Sequence, residues 1–203
     1  TKIFGKNVVL DNLNLDIPFG EIFGIIGKSG SGKTTLLSIL VGFIKAEKGK
    51  IFFQGQDITK MPDSVKQQIG FTSQEGSFYP KLSVRENLEY FGTLYNLSSV
   101  ELKDKIPNTL KLVSLDKEEN KLASELSSGM KNRLDIACAI LHDPKVLILD
   151  EPTEDLDPML RKEILSLLKK INKEKNVTII MTSHLLEEIE QICTQLAILH
   201  DRK

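Results

Sequence analysis

The chain has 203 residues, of which 40% are hydrophobic, and this length and composition predict one domain with a substantial core. Its 27 lysine and arginine residues nearly balance 28 aspartate and glutamate residues, so no overall positive field attracts it to nucleic acid or anionic lipid. The longest apolar runs have the length of a strand and fall short of the roughly 20 residues that span a bilayer.

The two cysteines and the chain ends give further context. Cys138 and Cys193 show no paired or metal-binding spacing, so we expect small buried hydrophobic side chains and a reducing compartment. The sequence starts at Thr1 and stops at Lys203 straight after a strand-like run. We therefore expect a piece of a longer polypeptide.

The first predicted element is a half-buried strand from Val8 to Ile17, where the residues alternate in polarity. Gly5 is predicted to lie in a turn before it. Phe4 is able to stack on an adenine ring with Val9 packed nearby, but an ordinary core or edge aromatic residue explains Phe4 equally well.

A glycine-rich loop follows a short apolar strand, Ile22 to Ile26, and leads into a predicted helix from Leu36 to Phe43. Strand, glycine loop and helix form the context of a phosphate-binding loop. Its glycines let backbone N–H groups surround a phosphate, and the helix start adds roughly half a positive charge. Lys33 is predicted to reach the β- and γ-phosphates, and the Thr34 hydroxyl is placed to bind Mg²⁺. The predicted phosphate-binding residues are Gly27, Ser29, Gly30, Ser31, Gly32, Lys33, Thr34 and Thr35.

Two further strands are predicted, Gly49 to Phe53 and Ile69 to Thr72. The second is followed by Gln74, at the carboxyl edge of the sheet where ligands of α/β folds collect. Alone, a glutamine at this position says little about function.

Short helices without strands are predicted from Glu75 to Leu126. Ser83 and Ser98 each precede a glutamate by three residues, which predicts two capping boxes, and Pro107 is expected to break or kink the second helix. The segment also holds all three tyrosines of the chain, Tyr79, Tyr90 and Tyr95, together with Phe78 and Phe91. These aromatic residues indicate either the core of a small helical subdomain or an interface.

The residues Leu126 to Met130 start the next predicted helix, and their serines and glycine form a candidate anion site. A buried parallel strand, Val146 to Leu149, then ends in Asp150 and Glu151. Two adjacent acids at a core strand are costly unless their charge is used. A Mg²⁺ ion bound by Thr34 and Asp150 would use the charge of Asp150, and Glu151 could then take a proton from an attacking water molecule. The alternative is that both acids are solvated in a turn.

A long amphipathic helix, Met159 to Lys173, and a strand, Val177 to Thr182, complete the predicted site. The strand leads into Ser183 and His184, so the histidine is predicted to share a sheet edge with Gln74, Asp150 and Glu151.

Taken in order, these motifs resemble the nucleotide-binding domain of the ATP-binding cassette (ABC) family over nearly the whole chain. The corresponding motifs are Walker A at Gly27 to Thr35, the Q-loop at Gln74, the signature at Leu126 to Met130 with Arg133, Walker B at Val146 to Asp150, the catalytic glutamate Glu151, the D-loop at Glu154 to Asp157, the switch histidine His184 and the adenine-stacking aromatic Phe4. Three residues depart from the pattern. Ser128 replaces a glycine and Met130 a glutamine, while Asp155 adds a negative charge that is expected to weaken closure over ATP.

The resemblance implies an α/β fold, a P-loop NTPase core with a mostly parallel sheet, a small antiparallel β part and an inserted helical subdomain. It divides the single domain 1–203 into an ATPase core, residues 1–74 and 127–203, and a helical subdomain, residues 75–126. It further implies that two domains sandwich ATP and Mg²⁺ head to tail. Lys33, Gln74, Glu151 and His184 would be catalytic, Thr34, Gln74 and Asp150 would hold the metal, and Ser127 and Gly129 would complete the partner's site.

The implied role is an ATPase that drives a membrane transporter, with export favoured because the residues Tyr79 to Leu88 look most like exporter domains. Its partners would be a second such domain, identical or different, and a permease, on the cytoplasmic face of the membrane, with no nucleic acid. A soluble ABC-type ATPase acting on DNA or ribosomes is the first alternative, and a P-loop kinase for a small substrate is the second. The kinase has no use for the signature, Glu151 or His184.

Overall fold

The computed structural model describes residues 1–202. The strands are β1 (Lys2–Phe4), β2 (Asn7–Leu10), β3 (Ile22–Ile26), β4 (Phe52–Phe53), β5 (Gln56–Asp57), β6 (Ile69–Thr72), β7 (Val146–Leu149), β8 (Thr178–Ser183) and β9 (Gln195–Ile198). The α-helices are α1 (Lys33–Leu40), α2 (Asp63–Lys66), α3 (Val84–Leu94), α4 (Ser99–Val113), α5 (Ser128–Ile140), α6 (Pro158–Lys175) and α7 (Leu186–Ile192). A short 3₁₀ helix covers Ala123–Glu125.

The central feature is a five-stranded sheet in the order β6-β7-β8-β3-β9, in which all pairs are parallel. Two small antiparallel pairs, β1 with β2 and β4 with β5, lie outside it. Because the strands are parallel, the loops that follow β3, β6, β7 and β8 leave from the same edge. The predicted α/β fold with a mostly parallel sheet and a small antiparallel part is confirmed.

Both faces of the sheet are covered, because successive residues of each strand point to opposite sides. Leu147 and Leu149 of β7 belong to a buried cluster with residues of α5 and α6, such as Leu134 and Leu168. Ile148 of the same strand belongs to a second cluster that includes residues of α1. The sheet edge that carries the candidate site is therefore supported from both sides.

The segment between β6 and α5 holds only helices and turns apart from an isolated bridge, Ser83 with Leu122. Both predicted capping boxes are present, at the first turns of α3 and α4. These two helices contact α5, and Leu88, Leu110 and Leu134 share one buried cluster. The division into an ATPase core and a helical subdomain stays a prediction.

Two local expectations are wrong, and part of a third is. The strand predicted over Val8 to Ile17 stops at Leu10, because the chain turns at Asn12, whose φ of 46° is left-handed. The strand predicted from Gly49 has only Phe52–Phe53, since it turns back at once into β5. Pro107 lies inside α4 without ending it, so the expected break is absent, whereas the kink stays a prediction. We attribute the unbroken helix to the burial of its neighbours Ile106 and Leu110, which favours a continuous packed face.

Within residues 1–202, no helix combines the length and the apolar character that a bilayer crossing requires. Cys138 is buried as predicted, whereas Cys193 is only half-buried.

Candidate active site

The glycine-rich loop between β3 and α1 is a tight turn. The Ser31 N–H donates to the Lys28 carbonyl at 3.1 Å. Gly30 and Gly32 have φ values of 77° and 105°, in the left-handed region that favours glycine. Gly32 is the N-cap of α1, whose first turn has no acidic residue. The loop therefore presents the positive end of a helix dipole, as an anion site requires.

Lys33 folds back over this loop and is only 5% exposed. Its Nζ donates to the Gly27 carbonyl at 2.8 Å and lies 3.1 Å from Oε1 of Glu151. The loop, its lysine and the acid after β7 thus form one contiguous group. Placement of these residues together follows from the pairing of β3 and β7 with β8 between them.

The acids after β7 are held by a threonine of β8. Asp150 is 2% exposed, and its Oδ1 accepts a hydrogen bond from Thr182 Oγ1 at 2.7 Å. The Glu151 N–H donates to the same Thr182 oxygen at 2.9 Å. Glu151 itself has a φ of 48°, which costs free energy for a residue with a Cβ atom. Sequence reasoning missed Thr182, which gives no signal beyond its position one residue before the end of a strand.

Glu151 bridges the lysine and the histidine. Its Oε2 lies 2.7 Å from Nδ1 of His184, opposite the contact of Oε1 with Lys33. Burial alone would raise the pKa of Glu151, but hydrogen bonds from His184 and Lys33 outweigh it, so the pKa lies below its ordinary value. The side chain is consequently a carboxylate at neutral pH, which is the form that accepts a proton.

Gln74 lies apart from this group. It is exposed, and its amide donates to the carboxylate of Glu154, in the segment after Glu151. The expected contact of Gln74 with a metal stays a prediction.

A cavity of about 220 Å³ separates the residues that follow β6 from the start of α5. Its wall includes Asp135, which is 6% exposed and accepts a hydrogen bond from the Ser77 N–H at 2.7 Å. Burial raises the pKa of Asp135 to about 7, although the hydrogen bond from Ser77 opposes this. Sequence reasoning missed Asp135, because its neighbours one helical turn earlier, Lys131 and Asn132, are polar and do not mark it as buried.

The remaining predicted binding residues lie around the loop or away from it. Val9 borders the loop, since a Cβ on Gly32 would lie 3.1 Å from Val9 Cγ1. Phe4 is 49% exposed, and Nζ of Lys2 lies 4.8 Å from its ring centroid. Among residues 1–202, no hydrogen bond connects Ser127 with the glycine-rich loop. Ser127 instead caps α5 by accepting from the Met130 N–H at 3.4 Å.

Gly129, by contrast, is buried against Leu160, whose Cδ2 would lie 2.9 Å from a Cβ at this position.

The side-chain oxygens near the glycine-rich loop fit Mg²⁺, which prefers oxygen ligands. Thr34 is exposed and carries a hydroxyl, and Asp150 supplies a carboxylate that is fixed by Thr182.

Comparisons of the sequence and of the structure with known proteins agree on one family. The sequence profile of the family described as ABC transporter matches residues 10–154. The chain is 40% identical over 205 residues to the bacitracin transport ATP-binding protein BcrA of Bacillus licheniformis, with 100% of this chain and 65% of that protein covered. It is 36% identical over 198 residues to the linearmycin resistance ATP-binding protein LnrL of Bacillus subtilis (strain 168), with 98% and 63% covered. The chain thus spans 63% to 65% of the length of these relatives.

A solved structure of cbiO1 from Clostridium perfringens, described as part of the ABC transporter complex cbiONQ, superposes with a TM-score of 0.87. Its sequence identity to this chain is 31%, with 96% of this chain and 79% of that chain covered. An ATP-binding subunit of an ABC transporter superposes with a TM-score of 0.84 at 28% identity, with 99% and 83% covered.

Proposed function

The chain belongs to the ABC transporter family, and from this premise we propose that it hydrolyses ATP to drive a membrane permease, as one of two domains that close around the nucleotide. The observation that carries this proposal is the contact of Glu151 with both Lys33 and His184 beside the glycine-rich loop. It combines an anion site, a buried cation and an ionised base at one sheet edge.

In the proposed reaction, the N–H groups at the start of α1 and the Lys33 ammonium bind the β- and γ-phosphates. The lysine would exchange its contact with Glu151 for a contact with phosphate. The freed Glu151 carboxylate then orients a water molecule and accepts its proton, while His184 contacts the γ-phosphate. Bound Mg²⁺ supplies positive charge that offsets the negative charge of the phosphates. Thr34, Asp150 and Gln74 are the residues proposed to hold it.

We propose that Ser127 and Gly129 act on the nucleotide of a second domain. The Ser127 N-cap presents a hydroxyl at the start of α5, which suits a γ-phosphate that arrives from another copy or from a different cassette. Asp155, exposed with a φ of 59°, adds a negative charge to the wall of the cavity that Ser128 at the start of α5 also lines. We expect it to weaken closure over anionic ATP.

Export is the favoured direction, with the domain on the cytoplasmic face of the membrane. Two relatives are named for bacitracin transport and linearmycin resistance. The exposed Tyr79 and Tyr90 rings contact each other at 4.8 Å between centroids, and Phe91 packs beside them. Exposed aromatic residues are typical of interfaces, and we assign this cluster to the permease. A soluble ATPase acting on DNA or ribosomes gives the cluster no role.

The test is size-exclusion chromatography with light scattering on Glu151→Gln protein, with and without Mg-ATP, beside ATPase rates of the wild type. We expect an ATP-dependent dimer for the variant and its loss in the wild type as phosphate is released. Hydrolysis by the variant at the wild-type rate would refute the role of Glu151. A variant that stays monomeric with ATP would refute self-pairing.

A further inference from the structure

Glu188, on α7, is a buried carboxylate that the proposed reaction does not use. It is 5% exposed, and its Oε2 accepts hydrogen bonds from Thr153 Oγ1 and Ser183 Oγ, both at 2.7 Å. Within residues 1–202, its Oε1 is buried without a hydrogen-bond partner. Arg161 Nε lies 3.8 Å from that oxygen. A buried polar oxygen without a hydrogen-bond partner is costly, so the presence of Glu188 at this position needs an explanation.

The two hydroxyl donors belong to the two loops that carry the proposed reacting side chains. Thr153 follows Glu151 by two residues, and Ser183 directly precedes His184. One carboxylate oxygen therefore joins the loop after β7 to the end of β8. Ser183 Oγ also accepts a hydrogen bond from the Leu185 N–H at 3.0 Å, which fixes the backbone on the far side of the histidine.

Arg161 extends this network to the start of α6. Its Nε donates to the Leu156 carbonyl at 2.7 Å. Residues 151–157 are thus tied near their middle by Thr153 and near their end by Leu156, and both ties lead to Glu188.

Glu151 needs such support because its left-handed backbone persists only where surrounding contacts determine it. Thr182 holds the Glu151 N–H from the side of β8. We propose that Glu188 is a positioning residue that holds the other side: by binding Thr153 and Ser183 it fixes the Glu151 loop against the His184 loop. The 2.7 Å contact between Glu151 and His184 would then be retained while nucleotide enters and leaves. This inference rests on the proposed function.

The experiment compares ATP hydrolysis by the full chain with that of Thr153→Val, Thr153→Ser and Glu188→Met. Valine has nearly the shape of threonine but no hydroxyl, whereas serine keeps the hydroxyl, so the two form a matched pair. Methionine has about the length of glutamate but no oxygen that accepts from the two hydroxyls. We expect Thr153→Val and Glu188→Met to lower kcat about tenfold at unchanged KM for ATP, because small displacements of reacting groups slow chemistry. Thr153→Ser should retain the wild-type kcat. The double variant Thr153→Val with Glu188→Met should be no slower than Glu188→Met alone, since both remove one network.

A wild-type kcat in Thr153→Val, or a raised KM with unchanged kcat, would overturn the inference. Equal decreases of kcat in Thr153→Val and Thr153→Ser would also overturn it, as would decreases of kcat that follow a lowered melting temperature, because either result indicates a merely structural role. Glu151→Gln protein separates this failure from failure of the proposed function. If the wild type is no faster than Glu151→Gln, both proposals fail. If it is faster and Thr153→Val matches it, only the role of Glu188 fails.

Discussion

Replacing Asp135 by asparagine should stabilise the folded protein at neutral and alkaline pH. Asp135 is 6% exposed, and burial raises the pKa of its carboxyl group from 3.8 to about 7. Asparagine has the same shape, keeps an oxygen for the Ser77 N–H and carries no charge. The substitution therefore removes a buried charge without removing the hydrogen bond.

The size and sign of the effect follow from proton binding. Below pH 3.8 the carboxyl group is protonated in both the folded and the unfolded chain, so it carries no penalty. Between 3.8 and about 7 the folded chain binds more protons, and stability falls as pH rises. Each pH unit in this window is worth about 1.4 kcal/mol, which gives a penalty of about 4 kcal/mol above it. The gain from Asp135→Asn should be about 2 kcal/mol smaller at pH 5.5 than at pH 8.

Urea unfolding of both proteins at the two pH values measures this difference. The Cys138 thiol nearby stays neutral, since burial and then Asp135 raise its pKa well above the usual range. Asp116→Asn, at an exposed aspartate, is the matched control, and its effect should stay small at both pH values. A gain from Asp135→Asn that is equal at pH 5.5 and pH 8 would refute the reasoning, because the carboxyl group would then titrate alike in both states.

Four further outcomes are expected. Lys33→Ala should abolish tight Mg-ATP binding in calorimetry, since it removes the buried cation of the glycine-rich loop; an unchanged affinity would contradict that role. Gly70→Ala should lower the free energy of unfolding by about 1–3 kcal/mol, because its Cβ would lie 2.1 Å from the Ala139 carbonyl oxygen. Gly92→Ala should cost less in the same urea titration, as its closest neighbour is the methyl end of a leucine side chain. Tyr79→Ala should leave basal ATPase intact but reduce transport in vesicles reconstituted with the permease, and unchanged transport would return this exposed ring to a packing role.

The sequence was sufficient to predict the sheet and which side chains share its edge. Hydrophobic runs of strand length set β3 and β7, and a polar or charged residue follows each of them closely. Parallel pairing then places Asp150, Glu151 and His184 near the glycine-rich loop, whatever the details of packing. The capping boxes were equally predictable, because their contacts span only three residues.

Contacts between distant segments were not predictable in this way. Thr153 and Glu188 are separated by 35 positions, and their hydrogen bond depends on how α7 packs after β8. The position of Asp135 against Ser77 likewise depends on the path of the chain after β6. Periodicity also failed for Val8 to Ile17, where alternating polarity continues after the left-handed turn at Asn12. The alternation of polar and apolar residues does not by itself show where the backbone turns, because polar residues such as asparagine occur both in exposed strand positions and in turns.

The order of the strands in the sheet has a consequence for how the chain folds. β3, which leads into the glycine-rich loop, pairs with β8 and β9, both of which come from the far end of the sequence. Such non-local pairing forms slowly during folding, because long loops must close before it gains any contacts. A chain that lacks these pairings does not assemble the group formed by the glycine-rich loop, Lys33 and Glu151, so under the proposed function we expect nucleotide to bind the finished fold and not its precursors. Such binding would stabilise folded molecules by about 2.7 kcal/mol at a nucleotide concentration of one hundred times Kd, and nucleotide occupancy would then report completed folding.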